Sequence, residues 1–280
     1  MSIELPEAKI LSEQMNRALK DKRIRSYHLR DCERLQKIGF INRDIKAFDQ
    51  LVNRKVESVT SRGNAIRMEL DEGMNIILFP EYGGEVFYHS SGTTVPEKYH
   101  LKIDFVDKTA LTVRLTSMGG IQVLKDAQLK SSYVFKRDFN PEILSPVDED
   151  FTFERFSKLL VKNNKALKTV LVGKDAVVVG LSNSAFQDII YRAKLHPKRK
   201  ASELKSHEQK ALYDAVRLVL QERIRLNGKS QFFDLHRNQG RYTPAMGPNM
   251  RKQKCPACGT IIEELSLGGG KVFVCPKCQV

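Results

Sequence analysis

The chain lacks the features of a membrane protein and of a disulfide-stapled secreted domain. It has no run of about eighteen apolar residues, the length that a helix needs to cross a bilayer. It also has no evident amphipathic lipid anchor. No secretory signal precedes Met1, so disulfide bonds are not expected. A membrane partner is therefore disfavoured.

Acidic residues are in short supply. Asp and Glu number 33 against 47 Lys and Arg, which gives a formal net charge of +14 and an isoelectric point near 9.5. A field of this sign attracts phosphates. Excess lysine also keeps proteins soluble, so charge alone leaves that simpler explanation open. The positive charge, combined with the cysteine motif at the end of the chain, makes nucleic acid the leading partner.

Cysteine is nearly absent until the last 26 residues, which hold four of the five. The spacing is two C-x-x-C turns separated by sixteen residues, and each turn can aim two thiolates at one tetrahedral Zn²⁺. So short a segment buries too little apolar surface to fold without the metal. We predict one structural zinc, with a β-hairpin between the turns, held by Cys255, Cys258, Cys275 and Cys278. Cys32 is expected to be an inert buried thiol.

After one helix at its start, the first half of the chain shows the two-residue alternation of apolar residues that is typical of β-strands. A helical pattern of apolar residues begins at Pro6, a residue tolerated in a first turn. From about Lys55 to Arg137 apolar residues alternate instead, as in residues 66–70. These patterns predict a mostly antiparallel β domain over residues 1–138.

Helical periods return after residues 140–146, which break both patterns. We predict a helix from about His207 to Leu226, with Ser206 as N-cap and Gln209 as its capping-box partner. A shorter helix is predicted over 184–194. The tetrapeptide Gly180-Leu181-Ser182-Asn183 enters it and would present backbone N–H groups to a phosphate. A helical domain over 150–240 and a zinc finger over 245–280 follow.

Three motifs, in this order along the chain, resemble the formamidopyrimidine-DNA glycosylase and endonuclease VIII family. They are Glu4-Leu5-Pro6-Glu7, then Gly180-Leu181-Ser182-Asn183 with Leu195-His196-Pro197 downstream, and the cysteine quartet. The resemblance implies an α+β fold: an N-terminal β-sandwich with an N-terminal helix, a helix-two-turn-helix domain and a C-terminal zinc-finger β-hairpin. It also implies a monomer that clamps damaged double-stranded DNA during base-excision repair, in the bacterial cytoplasm at the nucleoid.

The resemblance implies catalytic roles for Ser2, Glu4 and Glu7 with an altered nucleophile. In the family an N-terminal proline amine attacks C1′ of a flipped nucleotide, which releases the base and leaves a Schiff base open to β-elimination. This chain has Ile3 in place of that proline. If the initiator Met is removed, the free amine belongs to Ser2, about 3.3 Å farther out. Glu4 could act as general acid or base, and the acidic pair could equally well only cap the helix.

The resemblance also implies contacts with DNA from loops and from the finger. The family's β-hairpin lysine aligns with Asn64, and its finger arginine aligns near Lys271, which offers a point charge instead of a fork. Its wedge residues fall on Tyr82 and Met118, whose apolar side chains could replace a flipped base in the stack. The expected DNA-binding residues are Arg62, Asn64, Tyr82, Met118, Asn183 and Lys271.

Two classes of function fit these residues. One is a divergent DNA N-glycosylase that excises oxidised bases, with altered AP-lyase action. The other is a catalytically inactive protein that binds damaged or structured nucleic acid. An RNA-binding or ribosome-associated protein would explain the helical domain alone and would leave Glu4, Glu7 and the cysteines unexplained.

Overall fold

The computed structural model describes residues 3–80, 83–116, 119–173 and 176–280. The chain divides into two compact units. The first unit is Met1–Asn140 together with Leu226–Arg241, and the second unit is Pro141–Arg225 together with Tyr242–Val280. The predicted division into 1–138, 150–240 and 245–280 was drawn from motifs rather than contacts, and it stays a prediction.

The first unit is a β-sandwich that carries one long helix. Its 3₁₀-helices span Ile45–Leu51 and Asp126–Ser131. Two four-stranded antiparallel sheets are present among the described residues. In chain order the elements are α1 (Leu5–Leu19), β1 (Ile24–Leu29), α2 (Glu33–Lys37), β2 (Val56–Arg62), β3 (Ala65–Leu70), β4 (Met74–Phe79), β5 (Gly84–His89), β6 (Leu101–Phe105), β7 (Ala110–Leu115), β8 (Gly120–Lys125) and α3 (Tyr133–Asp138). The sheet orders are β1-β6-β7-β5 and β2-β3-β4-β8.

The strand pattern of residues 66–70 is confirmed. Ile66, Met68 and Leu70 are buried in β3, and the residues between them are partly exposed. Every residue of β4 is buried instead. Ile77 of β4 packs in one cluster with Leu129 of the second 3₁₀-helix, so both faces of this strand are covered. Burial on both faces removes the alternation that marks a half-exposed strand.

The second unit is helical and ends in a hairpin. Helices α6 and α7 pack against each other. None of the helices in the described ranges is both long and apolar enough to cross a membrane. The elements are α4 (Phe153–Val161), α5 (Leu167–Val172), α6 (Asn183–Arg192), α7 (Ser206–Arg225), β9 (Glu263–Leu267) and β10 (Gly270–Val274), with short 3₁₀-helices at Ala201–Glu203 and Pro248–Met250.

Helix α7 begins one residue earlier than predicted, and a different side chain caps it. The backbone N–H of Lys205 donates to Glu208 Oε2 at 2.7 Å. Gln209, the predicted capping-box partner, donates from Nε2 to the carbonyl of Leu204 at 2.8 Å. The capping-box prediction was therefore wrong by one residue, because the reciprocal partner follows the cap by three positions and the cap is Lys205. The helix ends at Arg225, one residue before the predicted end, and Gly228 beyond it has φ 86°.

Candidate functional site

The start of α1 brings two buried carboxylates against a buried lysine. Glu4 and Glu7 are 0% exposed, and Lys229 is 7% exposed. Glu7 Oε2 accepts a hydrogen bond from the backbone N–H of Glu4 at 3.2 Å, and Glu7 Oε1 accepts one from the backbone N–H of Lys229 at 3.2 Å. Lys229 Nζ lies 3.8 Å from Glu4 Oε1. We call these three residues the Glu4 cluster.

Glycines bring the Lys229 segment into place. Gly228 adopts φ 86°, which side-chain-bearing residues rarely do. A Cβ on Gly240 would lie 2.2 Å from the carbonyl oxygen of Lys229, so only glycine permits this backbone approach. The backbone of Lys229 is thus fixed from one side by Gly240 and from the other by Glu7.

The Glu4 cluster has a structural role, and its burial also permits a chemical one. Glu4 and Glu7 form the reciprocal capping box of α1, as the capping alternative predicted. Capping does not require burial, however, and removing a carboxylate from water costs several kcal/mol unless it is paired. A buried carboxylate next to an ammonium is suited to proton transfer inside a site that excludes water. Glu7 holds the backbones of its two neighbours by hydrogen bonds, and the carboxylate of Glu4 lies beside the ammonium of Lys229.

Ile3 stands where the resemblance implies a nucleophile. Its side chain is 2% exposed, and its backbone N–H donates to the carbonyl of Pro80 at 3.4 Å. A peptide nitrogen shares its lone pair with the adjoining carbonyl, so it cannot attack a sugar carbon. Ser2, which is predicted to supply the amine, lies outside the described residues.

The turn between β2 and β3 is held by protein partners. Arg62 Nη1 donates to the carbonyls of Asp138 and Asn140 at 2.7 and 2.6 Å. The backbone N–H of Asn64 donates to Asp138 Oδ2 at 3.2 Å. These bonds fix the turn, and DNA contacts from Arg62 and Asn64 stay predictions. Tyr82 and Met118 lie outside the described residues.

A second cluster forms at the N-terminus of α6. Asn183 Nδ2 donates to the carbonyl of Lys271 at 2.8 Å, and Lys168 Nζ donates to Asn183 Oδ1. Lys168 Nζ also lies 4.9 Å from the centre of the Phe186 ring. We call Lys168, Asn183 and Lys271 the Asn183 cluster. It places the ammonium of Lys168 and the amide of Asn183 at a helix end whose N–H groups favour anions, an arrangement suited to a phosphate. The ammonium of Lys271 pairs instead with Glu264.

Sequence reasoning missed one member of each cluster. Lys168 lies within the apolar stretch Leu167–Val172 and is only 7% exposed, so a charged residue in a buried helix was the available signal. Lys229 follows Gly228 in a segment read as a helix end. Its link to Glu7 spans 222 positions and has no local signal.

The hairpin that carries Lys271 reverses as predicted. Gly268 and Gly269 have φ of 56° and 74°, and two successive positive values are typical of the tight turn that suits twisted strands. Lys271 Nζ lies 2.5 Å from Glu264 Oε1, and Arg251 pairs with the same carboxylate at 3.1 Å. The hydrogen bond from Lys271 lowers the pKa of Glu264 below its ordinary value.

The four cysteines of the finger form the predicted structural zinc site. Their Sγ atoms all lie within 4.8 Å of one another, with 3.9 Å between Cys255 and Cys278 and 3.5 Å between Cys258 and Cys275. Tetrahedral zinc with four thiolates requires sulfur atoms about 3.8 Å apart, so the donor set fits the metal. All four ligands are protein thiolates, which leaves no open position for catalysis.

The fifth cysteine is a buried thiol, as predicted. Cys32 is 8% exposed, and its Sγ donates to the carbonyl of Arg30 at 3.3 Å. Burial raises the pKa of the Cys32 thiol to about 11. The reactive thiolate form is therefore scarce at neutral pH.

Comparison with known families matches three successive segments of the chain. Residues 3–118 match the formamidopyrimidine-DNA glycosylase N-terminal domain, and residues 143–234 match the formamidopyrimidine-DNA glycosylase H2TH domain. Residues 252–280 match a zinc finger found in FPG and IleRS. Together these matches run along most of the chain.

Comparison with individual proteins gives the same result. The chain is 26% identical to the formamidopyrimidine-DNA glycosylase of Ligilactobacillus salivarius, with 99% of this chain and 98% of the relative covered. Identity and coverage are the same for the enzyme of Streptococcus pneumoniae R6. A solved structure of Lactococcus lactis Fpg with DNA that contains an abasic site shares the fold, with a TM-score of 0.83 at 22% identity over 99% of both chains.

Proposed function

We propose that this chain, which belongs to the formamidopyrimidine-DNA glycosylase and endonuclease VIII family, binds damaged double-stranded DNA and excises the damaged base. The observation that carries the proposal is the Glu4 cluster, a buried carboxylate beside a buried amine at the start of α1. The names of the relatives point to formamidopyrimidines, so we infer an oxidised purine as the substrate. We expect the protein to act in base-excision repair at the bacterial nucleoid.

Binding is proposed to rest on backbone phosphates. Asn183 and Lys168 supply an amide and a cation at the N-terminus of α6. Lys271 on the adjoining hairpin carries a second cation that pairs with Glu264. The net charge of +14 adds a sequence-independent attraction that weakens with salt. We further propose that Arg62 and Asn64 meet the DNA near the lesion, and that Tyr82 and Met118 fill the space left by the flipped base.

Glu4 is proposed as the general acid or base and Glu7 as the residue that positions it. The protonated carboxyl group of Glu4 would give a proton to the leaving base, and the resulting carboxylate would later remove one from C2′ of the sugar. The amine of Ser2 is one source of the nucleophile. Because it lies one residue farther out than the family's proline, we expect an altered balance between base release and strand cleavage.

A catalytically inactive binder is the second candidate. One observation favours it, the peptide nitrogen of Ile3 at the position of the family's nucleophile. This candidate keeps the phosphate contacts of the Asn183 cluster and the zinc finger, and it assigns only the capping role to Glu4 and Glu7.

Incubation of the zinc-loaded chain in excess with lesion duplexes separates the two candidates. One duplex carries a formamidopyrimidine guanine and a matched duplex carries guanine, and free base is measured by mass spectrometry. Release from the lesion duplex alone supports a glycosylase. Tight binding without release supports the binder. If neither duplex forms a salt-sensitive complex, both candidates are wrong.

A further inference from the structure

Lys229 is the member of the Glu4 cluster that no motif accounts for. It belongs to the segment Leu226–Arg241, which folds with the first unit. Its side chain is 9% exposed, and the Glu4 side chain that it faces is 0% exposed. Lysine is almost never buried unless it is paired, and burying such a pair costs desolvation of both ions. Stability alone therefore explains this placement poorly.

We propose that Lys229 Nζ is the nucleophile that attacks C1′ of the damaged nucleotide. The proposal rests on the function proposed above and replaces the terminal amine with a side-chain amine. Lysine amines, like terminal amines, form Schiff bases with carbonyl groups. The nitrogen of Ile3 is excluded as a nucleophile because it is a peptide nitrogen. Lys229 brings an amine to the same carboxylate, Glu4.

The reaction needs no group beyond this pair and water. Lys229 Nζ passes one proton to Glu4 Oε1, which lies 3.8 Å away, and becomes a neutral amine. Its lone pair forms the Nζ–C1′ bond as the C1′–N bond to the base breaks, and the base leaves with that electron pair and the proton of Glu4. The sugar oxygen O4′ then takes a proton from Nζ as the C1′–O4′ bond opens, which leaves a protonated Schiff base.

Strand cleavage follows from the same intermediate. Glu4, again a carboxylate, removes a proton from C2′, and the C3′–O3′ bond breaks with its electrons leaving on the phosphate. Water then hydrolyses the Schiff base and restores the amine of Lys229. Glu7 Oε1 accepts a hydrogen bond from the backbone N–H of Lys229 at 3.2 Å, which fixes the backbone from which the lysine side chain extends to Glu4.

Borohydride trapping with peptide mapping tests the proposal on the unaltered chain. Zinc-loaded protein is mixed with a duplex that contains an abasic site, reduced with borohydride and digested with trypsin. Reduction fixes the Schiff base as a secondary amine. Trypsin does not cut at a modified lysine, so an adduct on Lys229 joins residues 226–237 into one peptide that carries the sugar. An adduct on the peptide that carries Ser2 would overturn the proposal.

Two substitutions and a control complete the test. Lys229→Arg keeps the positive charge beside Glu4 but removes the nucleophile, and Lys229→Gln removes both. We expect either to lower trapping by about 100-fold or more, as for loss of a nucleophile elsewhere. Lys37→Gln removes an exposed lysine of the first unit and should trap like the unaltered chain. Binding to a duplex with a tetrahydrofuran abasic analogue, which cannot form a Schiff base, shows that each variant is folded.

The outcomes separate this proposal from the function on which it rests. Undiminished trapping by Lys229→Arg would overturn the role of Lys229. Base release by the unaltered chain with no trapped adduct would do the same, while the glycosylase function stands. A chain that neither binds nor cleaves lesion duplexes would overturn the glycosylase function and this proposal with it.

Discussion

The Glu4 cluster and the Asn183 cluster differ in burial and in the sign of their charge. In the first unit, two carboxylates and one ammonium lie almost wholly out of water. In the second unit, Asn183 lies between the buried Lys168 and the carbonyl of Lys271, and only Lys271 of these two lysines has an exposed side chain, at 58%. A buried pair interacts strongly and suits proton transfer, whereas a phosphate must be met by cations that solvent can reach. We therefore propose that the first unit carries the chemistry and that the second unit binds the phosphates.

The two clusters also differ in how they depart from the family pattern. Asn183 and the four cysteines are residues that the resemblance implies, whereas Lys271 aligns near the family's finger arginine. The Glu4 cluster keeps both carboxylates and loses the proline amine. The resemblance therefore implies differences at the nucleophile and at the finger arginine, with the carboxylates and the cysteines kept.

The largest effect is expected from loss of the metal. Cys275→Ser removes one of four thiolates, and zinc contributes about 10 kcal/mol or more to the folding of such fingers. We expect the finger to unfold, Lys271 to lose its position and duplex affinity to fall. Zinc content measures loss of the metal, and fluorescence anisotropy measures duplex affinity. Cys32→Ser, which alters the buried thiol of the first unit, should keep zinc and affinity. Unchanged affinity in Cys275→Ser would exclude the finger from binding.

The next effect is expected at Glu4. Glu4→Gln removes the proton donor and acceptor, and such losses lower rates by about 10²–10⁴-fold. Single-turnover base release should fall by this factor, with little change in affinity. Glu13→Gln, on the same helix with a side chain 47% exposed, is the matched control. A melting curve for each variant shows whether the fold persists. Normal base release by Glu4→Gln would leave Glu4 only its capping role.

A smaller effect is expected at Asn183. Asn183→Ala removes the amide that bridges Lys168 and the carbonyl of Lys271, and the loss of one such hydrogen-bonded contact costs about 1–2 kcal/mol. Duplex affinity should fall about tenfold for every sequence tested, because phosphates carry no sequence information. Asn249→Ala, at an exposed position of the second unit, should bind normally. A loss confined to one sequence would instead indicate a contact with a base.

The smallest effect is expected on stability in mild acid. Burial lowers the pKa of His89 below its ordinary value, with smaller contributions from Arg237 and Lys102. Between that lowered pKa and about 6.5 the unfolded chain binds the proton and the folded chain does not, so stability falls as pH falls through this window. The free energy of unfolding is measured with urea at pH 7.5 and at pH 5.5. It should differ less between the two pH values in His89→Gln than in the unaltered chain. An equal difference in both proteins would contradict this assignment.

Much of the fold could be predicted because its signals are local. The period of α1, the alternation of β3 and the glycine turn of the hairpin each depend on neighbouring residues. Strand β1 was missed, since only one of its six residues is buried and no alternation results. The uniform burial of β4 comes from a distant 3₁₀-helix.

The residues of the two clusters also differ in whether local sequence predicts them. Glu4, Glu7 and Asn183 lie in short motifs, and the spacing of the four cysteines alone predicts the zinc site. Lys229 reaches the Glu4 cluster only because the chain returns to the first unit after α7, and the bond that holds it spans 222 positions. Contacts of that range depend on the whole fold and leave no trace in a local window.

We propose that the Glu4 cluster carries the chemistry and that the Asn183 cluster binds the DNA. Single-turnover base release at increasing protein concentration tests this proposal most directly. The unaltered chain, Glu4→Gln and Asn183→Ala are compared on one lesion duplex. We predict that Glu4→Gln lowers the rate at saturating protein and leaves the half-saturating concentration unchanged. Asn183→Ala should raise that concentration and leave the saturated rate unchanged. Both variants shifting the same parameter, or an unaltered chain that saturates without releasing base, would contradict the account.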